Sequence, residues 1–175
     1  NPMYVVPGVD LSDLKDGPGH YPDTPLPGQL GNAAIAGHRT TYGHPFFDVD
    51  QLVAGDEIVV TMVNGDRFVY LVTFTEIVGA SEYWVVTTRD PNIAELTLTS
   101  CHPKYTARDR IVVHSVLDPT RSANVGVATF YDLEPADNEP IPGDDPVLVA
   151  DSPTGDTAVA IDPSGNADVA PSIGG

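Results

Sequence analysis

The dipeptide Asn64-Gly65, set between two β-rich runs, is the feature that most constrains the fold. Residues 55–63 (GDEIVVTMV) and 66–72 (DRFVYLV) flank it. Asn-Gly in this setting is typical of a β-hairpin with a type I′ turn, in which both turn residues have φ > 0. Further strands are predicted at residues 32–38, 69–78, 95–101 and 110–117, with one helical turn near 46–52. We therefore predict an all-β domain, a barrel or a sandwich, with short helical turns.

Charge divides the chain into two parts. Residues 131–175 contain ten carboxylates and seven prolines but no Lys or Arg, whereas residues 1–130 hold fifteen acids and all eight basic residues. The sequence predicts a folded domain over 1–117, with 130 as an alternative end, followed by a disordered acidic tail over 131–175. A formal net charge of −17 argues against nucleic acid and anionic lipid as partners.

The single cysteine, Cys101, ends a predicted strand (residues 95–101, ELTLTSC). Strand alternation places Leu96, Leu98 and Ser100 on one face, and Thr97, Thr99 and Cys101 on the other. An accessible thiol on the polar face is a candidate nucleophile, because a core cysteine would more often lie among the leucines. One cysteine also excludes an intramolecular disulfide.

Two other residues would complete a cysteine-based site. Cys101 ends one predicted strand, and Arg110 begins the next. If these two strands are antiparallel neighbours, Arg110 lies near the thiol, lowers its pKa and stabilises an oxyanion. His38, at the end of its own strand, would be the general acid/base. Each residue also has an ordinary structural explanation: a core cysteine, a solvated loop histidine, and an arginine paired with Asp109.

Three motifs in order strengthen the catalytic interpretation. Residues 36–43 (AGHRTTYG), 97–105 (TLTSCHPKY) and 110–114 (RIVVH) resemble the signatures of the sortase family in content and spacing. Residues 17–22 (GPGHYP), together with the wording of these motifs, look most like class E sortases of high-GC Gram-positive bacteria. The resemblance runs from about residue 5 to residue 117.

The resemblance implies a closed eight-stranded β-barrel and an extracytoplasmic cysteine transpeptidase held on the cell membrane by an anchor outside this sequence. Such an enzyme cleaves a C-terminal L-P-x-T-G or L-A-x-T-G sorting motif between Thr and Gly. Its partners are surface proteins that carry the signal and a cell-wall precursor amine. No cofactor is implied.

The roles carried over from the family fall on named residues. Cys101 is the nucleophile, His38 the acid/base and Arg110 the oxyanion and substrate-positioning residue. Ser100, Tyr42 and Tyr105 are the expected substrate-binding residues. The family's first strand should precede Met3, so either the fragment begins after that strand or the barrel lacks it. The other histidines show no close-spaced ligand pairing, and we predict no metal site.

Three alternatives remain beside this interpretation. The L,D-transpeptidases also use Cys, His and Arg, but their arginine stands two residues after the cysteine, where this chain has Pro103. A non-enzymatic surface protein is suggested only by residues 151–156 (DSPTGD), an incomplete sorting motif. A weakly active or autoinhibited sortase-like domain would use the acidic tail as a pseudosubstrate on a cationic cluster of Arg39, Lys104, Arg108 and Arg110.

Overall fold

The computed structural model describes residues 3–127 and forms one curled sheet of seven strands. The predicted tail at 131–175 lies outside the described residues. In chain order the strands are β1 (Val6–Pro7), β2 (Gly19–His20), β3 (Gly31–Ala36), β4 (Glu57–Thr61), β5 (Arg67–Gly79), β6 (Ala94–His102) and β7 (Asp109–Leu117). Three short 3₁₀ turns occur at Asp13–Lys15, Val49–Gln51 and Tyr83–Val86.

The sheet order is β1-β2-β3-β6-β7-β5-β4. Strands β3 and β6 are parallel, whereas β6–β7, β7–β5 and β5–β4 are antiparallel. The all-β prediction is confirmed, and so are the predicted strands and the helical turn near 46–52. A closed eight-stranded barrel is not what residues 3–127 show, because seven strands form a half-barrel whose edge strands β1 and β4 do not pair with each other.

The hairpin between β4 and β5 forms as predicted, but its turn differs. Gly65 has φ of 93°, while Asn64 is not among the residues with positive φ, so the turn is not type I′. Met62 donates its N–H to the Asp66 carbonyl, which leaves a three-residue loop. The Asn64 side chain accepts the Asp66 N–H and donates to its carboxylate, and this local pairing favours the longer loop, in which only the glycine is left-handed.

The concave face of the sheet carries the core. Leu96 and Leu98 of β6 are buried there, as strand alternation predicted, and they belong to a cluster that includes Ile35, Tyr70 and Val113. Burying each such side chain contributes about 1.5–3 kcal/mol. This core holds β3, β6 and β7 side by side, and these are the strands whose ends carry the candidate site.

A β-bulge at Thr73 divides strand β5 into two halves. Val72 pairs with Ser115 and Phe74 with His114, so Thr73 is an extra residue. One extra residue reverses which side chains face inward. Phe74 therefore lies on the convex face, stacked on His114 with ring centroids 4.4 Å apart, although Val72 points into the core.

Candidate active site

Cys101 and Arg110 lie directly opposite each other on strands β6 and β7. Residues opposite each other in an antiparallel pair project from the same face of the sheet. Arg110 also donates from Nη1 to the backbone oxygens of Ala107 and Asp109, at 3.0 and 3.1 Å, which ties it to the loop between the two strands. Cys101 is half-buried. The strands that carry Cys101 and Arg110 are therefore antiparallel neighbours, as the sequence suggested.

His38 reaches the same end of the sheet from the other side of β6. Ala36, the last residue of β3, pairs with Thr99 in parallel register, so His38 lies two residues past the strand end, level with Cys101. The three predicted catalytic residues thus lie at one end of the sheet, where β3 and β6 end and the antiparallel strand β7 begins. They are not neighbours in the sequence, and the sheet register brings them together.

The His38 ring is half-buried beside Tyr42, with ring centroids 5.0 Å apart. Its Nε2 is buried and has no hydrogen-bond partner within residues 3–127. Burial lowers the pKa of His38 below its ordinary value of 6.5. Burial therefore favours the uncharged imidazole, and its protonated form is a stronger acid than a solvated histidine.

Three hydrogen bonds join the end of β6 to the segment that carries His38. The Gly37 N–H donates to the Thr99 carbonyl at 3.0 Å, and the Ser100 hydroxyl donates to the Gly37 carbonyl at 2.7 Å. The Arg39 guanidinium donates to the Cys101 carbonyl at 3.3 Å. The Ser100 side chain is buried, and the contact it makes is to the backbone next to His38.

The convex face below Cys101 is covered, which the parity argument did not anticipate. Thr97 and Thr99 share that face with Cys101, yet both are buried. The Tyr21 hydroxyl lies 3.0 Å from the Thr99 hydroxyl, and the Asn32 amide donates to the carbonyls of Val85 and Thr87 in the segment joining β5 and β6. Burial raises the pKa of Tyr21, so its hydroxyl stays protonated.

Tyr42 and Tyr105 lie on the loops beside the site and are exposed. Their φ angles are 47° and 69°, a left-handed conformation that bulky residues rarely adopt. Tyr42 contacts His38, and Lys15 lies 5.9 Å from the centre of the Tyr42 ring.

Comparison with known proteins decides the family. The family model of the Sortase domain matches residues 2–118. The chain belongs to the sortase family.

Relatives and solved structures agree with this assignment. Sortase D of Bacillus subtilis is 33% identical over 99 residues, which are 57% of this chain and 48% of that protein. The SrtA sortase of Actinomyces oris superposes with a TM-score of 0.63 at 33% identity, covering 67% of this chain and 71% of that one. Sortase E of Streptomyces avermitilis superposes with a TM-score of 0.56 at 37% identity, covering 66% and 78%. The chain spans about half the length of the Bacillus subtilis relative.

The motifs predicted a likeness to class E sortases. The 37% sequence identity to sortase E of Streptomyces avermitilis agrees with that prediction. Sortases are cysteine transpeptidases that act on surface proteins with sorting signals, and they are generally membrane-associated outside the cytoplasm. Within residues 3–127, no helix is long and apolar enough to cross a membrane. In the same part of the chain, no three His, Cys, Asp or Glu side chains are grouped to hold a metal ion.

Three of the four residues in the predicted cationic cluster are paired with carboxylates, and one of the three is buried. Arg39 is 2% exposed and pairs with Asp50 at 2.8 Å. Lys104 pairs with Asp48 at 3.4 Å, and Arg108 pairs with Asp109. A carboxylate pairs with each of these three side chains, whereas Arg110, the fourth member, donates to the backbone oxygens of Ala107 and Asp109.

Sequence reasoning missed two residues of this sortase site. Tyr21 lies beside Thr99 although 78 positions separate them, and no periodicity links the two. Arg39 was interpreted as a surface cation, but it is buried against the backbone of Cys101. Its position next to His38 in the first motif, residues 36–43, was the only available signal.

Proposed function

We propose that this chain is the catalytic domain of a sortase that cleaves a C-terminal L-A-x-T-G or L-P-x-T-G motif between Thr and Gly. It then transfers the threonyl acyl group to a cell-wall amine. The observation that carries this proposal is the sheet register: Cys101 pairs with Arg110, and His38 follows the strand on the other side of β6.

The chemistry divides between the three side chains. His38 takes the proton of the Cys101 thiol, and the resulting thiolate attacks the threonine carbonyl carbon while the Arg110 guanidinium stabilises the tetrahedral oxyanion. His38 gives its proton to the glycine nitrogen as the C–N bond breaks, leaving a thioester on Cys101. The acceptor amine then attacks the thioester and returns a proton to His38, which restores the thiolate and forms a new amide. The lowered pKa of His38 supports its role as the proton donor.

The proposed substrate-binding residues contribute in two ways. Tyr42 and Tyr105 are exposed on the loops flanking the site, so their rings are available to a peptide. Ser100 would act through its bond to Gly37, which holds the backbone next to His38 in place for the acyl group.

The location and the remaining strand are proposals as well. A membrane anchor outside this sequence would hold the domain on the extracytoplasmic face of the cell, where sorting-signal proteins and wall precursors meet. The closed eight-stranded barrel implied by the family stays a prediction, in which an eighth strand would lie between the edges formed by β1 and β4.

The proposal is tested with internally quenched L-A-x-T-G and L-P-x-T-G peptides. We expect cleavage between Thr and Gly, and added amine should convert the product from an acid to an amide. Cys101→Ala should abolish turnover. His38→Ala and Arg110→Ala should each lower kcat/KM by on the order of 10³-fold or more, because each removes a group that acts mainly in the transition state.

The controls separate specific chemistry from contamination. A peptide with Thr and Gly exchanged should not be cleaved, and Tyr4→Phe, which alters an exposed hydroxyl, should have wild-type activity. Undiminished turnover in Cys101→Ala would rule out the mechanism. Thioester trapping by mass spectrometry at Cys101 would confirm the acyl-enzyme.

A further inference from the structure

Arg39, the residue after His38, is a buried charge. Its guanidinium donates from Nε to the Phe47 carbonyl at 2.8 Å, from Nη1 to the Cys101 carbonyl at 3.3 Å, and pairs through Nη2 with Asp50 at 2.8 Å. Arginine is almost never fully buried unless it is paired, because removing the charge from water is costly. All three nitrogens of this side chain have partners, so the burial is built into the site.

The bond to Cys101 continues the ladder between β3 and β6 beyond the end of β3. The last backbone bond of that ladder joins the Gly37 N–H to the Thr99 carbonyl. In a parallel ladder the next carbonyl pointing the same way is two residues on, which is that of Cys101. Because β3 has ended, no backbone N–H of that strand serves this carbonyl, and the Arg39 side chain supplies the donor.

The other end of the guanidinium reaches the loop that follows the nucleophile. Asp50 also contacts Lys104 at 3.7 Å, and Lys104 lies 4.0 Å from the centre of the Phe47 ring. Burial raises the pKa of Asp50, but the charges of Arg39 and Lys104 outweigh it and the net pKa is lowered. One ionised carboxylate therefore connects the segment after His38 with the segment after Cys101.

We propose that Arg39 is a positioning residue that fixes the His38 segment against the backbone of Cys101, with Asp50 holding the guanidinium in place. The inference rests on the proposed function, since it assigns His38 and Cys101 to one reaction. Arg39 acts through these two residues and does not touch the substrate. A misplacement of about 1 Å at a reacting centre lowers the rate by about 10²-fold, which is the scale expected here.

The test compares Arg39→Met, Arg39→Lys and Asp50→Asn with Arg121→Met as the matched control. Arg121 also bridges two carboxylates, Glu57 and Asp118, but it follows the end of β7 that is remote from Cys101. Two measurements are made: kcat and KM for a sorting peptide, and the pH dependence of Cys101 alkylation by iodoacetamide. The alkylation rate needs no peptide and reports whether the thiol still senses His38 and Arg110.

We expect Arg39→Met to lower kcat by about 10²-fold with KM within about twofold of the wild type, because orientation is lost while the binding surface remains. Its alkylation profile should move toward that of an unassisted thiol. Arg39→Lys, which keeps the charge but loses the planar fork, should recover part of kcat. Asp50→Asn should resemble Arg39→Lys, and Arg121→Met should match the wild type in both measurements.

Two results would overturn the proposal. One is a folded Arg39→Met protein with wild-type kcat and alkylation profile. The other is a kcat that falls only in proportion to the folded fraction, with an unchanged profile, which is the result of a purely structural role. If Arg39→Met does not fold, Asp50→Asn decides, because that side chain is partly exposed. If the wild type cleaves no sorting peptide, the proposed function fails, and the alkylation profiles still decide the role of Arg39.

Discussion

The two ends of the sheet tolerate left-handed backbone in different ways. At the end remote from Cys101, glycines adopt it: Gly28 has φ of 89° and Gly31 has φ of 100°. At the end that carries Cys101, Gly43 does so too, but so do Tyr42, His44 and Tyr105, with φ of 47°, 41° and 69°. A non-glycine residue in this region costs about 1–2 kcal/mol.

Hydrogen bonding follows the same division. At the remote end the Gly28 N–H donates to the buried Tyr70 hydroxyl at 2.7 Å, and the Val69 N–H donates to Ser122 at 2.9 Å. At the end with Cys101, the buried ring nitrogens His38 Nε2 and His102 Nδ1 have no partner within residues 3–127. Buried polar atoms are nearly always satisfied in native proteins. The remote end is therefore organised for stability, whereas the end with Cys101 retains unfavourable features next to the candidate catalytic groups.

The largest stability effect is expected from glycine substitution at the remote end. A Cβ on Gly28 would lie 2.2 Å from the Phe68 ring, whereas a Cβ on Gly65, with φ of 93°, would meet nothing within 4 Å. Gly65→Ala isolates the conformational cost, about 1–2 kcal/mol. Gly28→Ala adds overpacking and should cost about 1–3 kcal/mol more in urea unfolding. Equal losses for the two variants would mean that the Phe68 contact does not matter.

A smaller effect on stability is expected at the end with Cys101. Its sign is opposite, because here the glycine variant should be the more stable one. Tyr105 is 79% exposed with φ of 69°, so its side chain contributes little burial while its backbone is unfavourable. Tyr105→Gly should be more stable than Tyr105→Ala by about 1 kcal/mol, since only glycine adopts this conformation readily. The midpoints of thermal and urea unfolding measure the difference. A less stable glycine variant would show that the loop is not unfavourable at this position.

The smallest effect is a pH dependence that distinguishes a structural histidine from the site histidine. Burial lowers the pKa of His20, against an opposing bond from the Pro25 carbonyl, and burial also lowers the pKa of His38. In the unfolded chain these histidines have the ordinary pKa of 6.5, so as the pH falls the unfolded chain takes up protons before the folded one. The contribution of the histidines to the free energy of unfolding is therefore present above pH 6.5 and is lost as the pH falls below it.

The measurement is the urea midpoint between pH 7.5 and pH 5.5, a range chosen because it brackets the ordinary histidine pKa of 6.5. His20→Gln should reduce the slope of stability against pH more than His38→Gln, because His20 is 3% exposed and His38 only half-buried. A slope that His20→Gln leaves unchanged would contradict the assignment of this dependence to burial.

Local sequence signals predicted most of the sheet. The β-rich runs gave strands close to their observed bounds, and alternation in residues 95–101 placed Leu96 and Leu98 in the core. The same signals could not give the turn type at Asn64, where side-chain pairing with Asp66 prevails over the usual Asn-Gly conformation. They also could not show the bulge at Thr73, because an unpaired residue is defined only by the partner strand.

The candidate catalytic residues were predicted from motifs, whereas their surroundings were not. Cys101, His38 and Arg110 stood out because their residue types and spacing match a family. The cover over Thr97 and Thr99 comes from Tyr21 and from the segment around Val85, which are distant in the sequence. Solvent exposure depends on what packs over a strand, and a pattern within the strand carries no information about that.

The sequence by itself determined the all-β class, the strand carrying the thiol and the family to which the chain belongs. Only the tertiary structure decided that Arg39 is a buried partner of Cys101 and not a surface cation. The physical reason is that a charge can be buried only where several partners meet. The partners of Arg39, which are Phe47, Asp50 and the Cys101 carbonyl, come from segments up to 62 residues away.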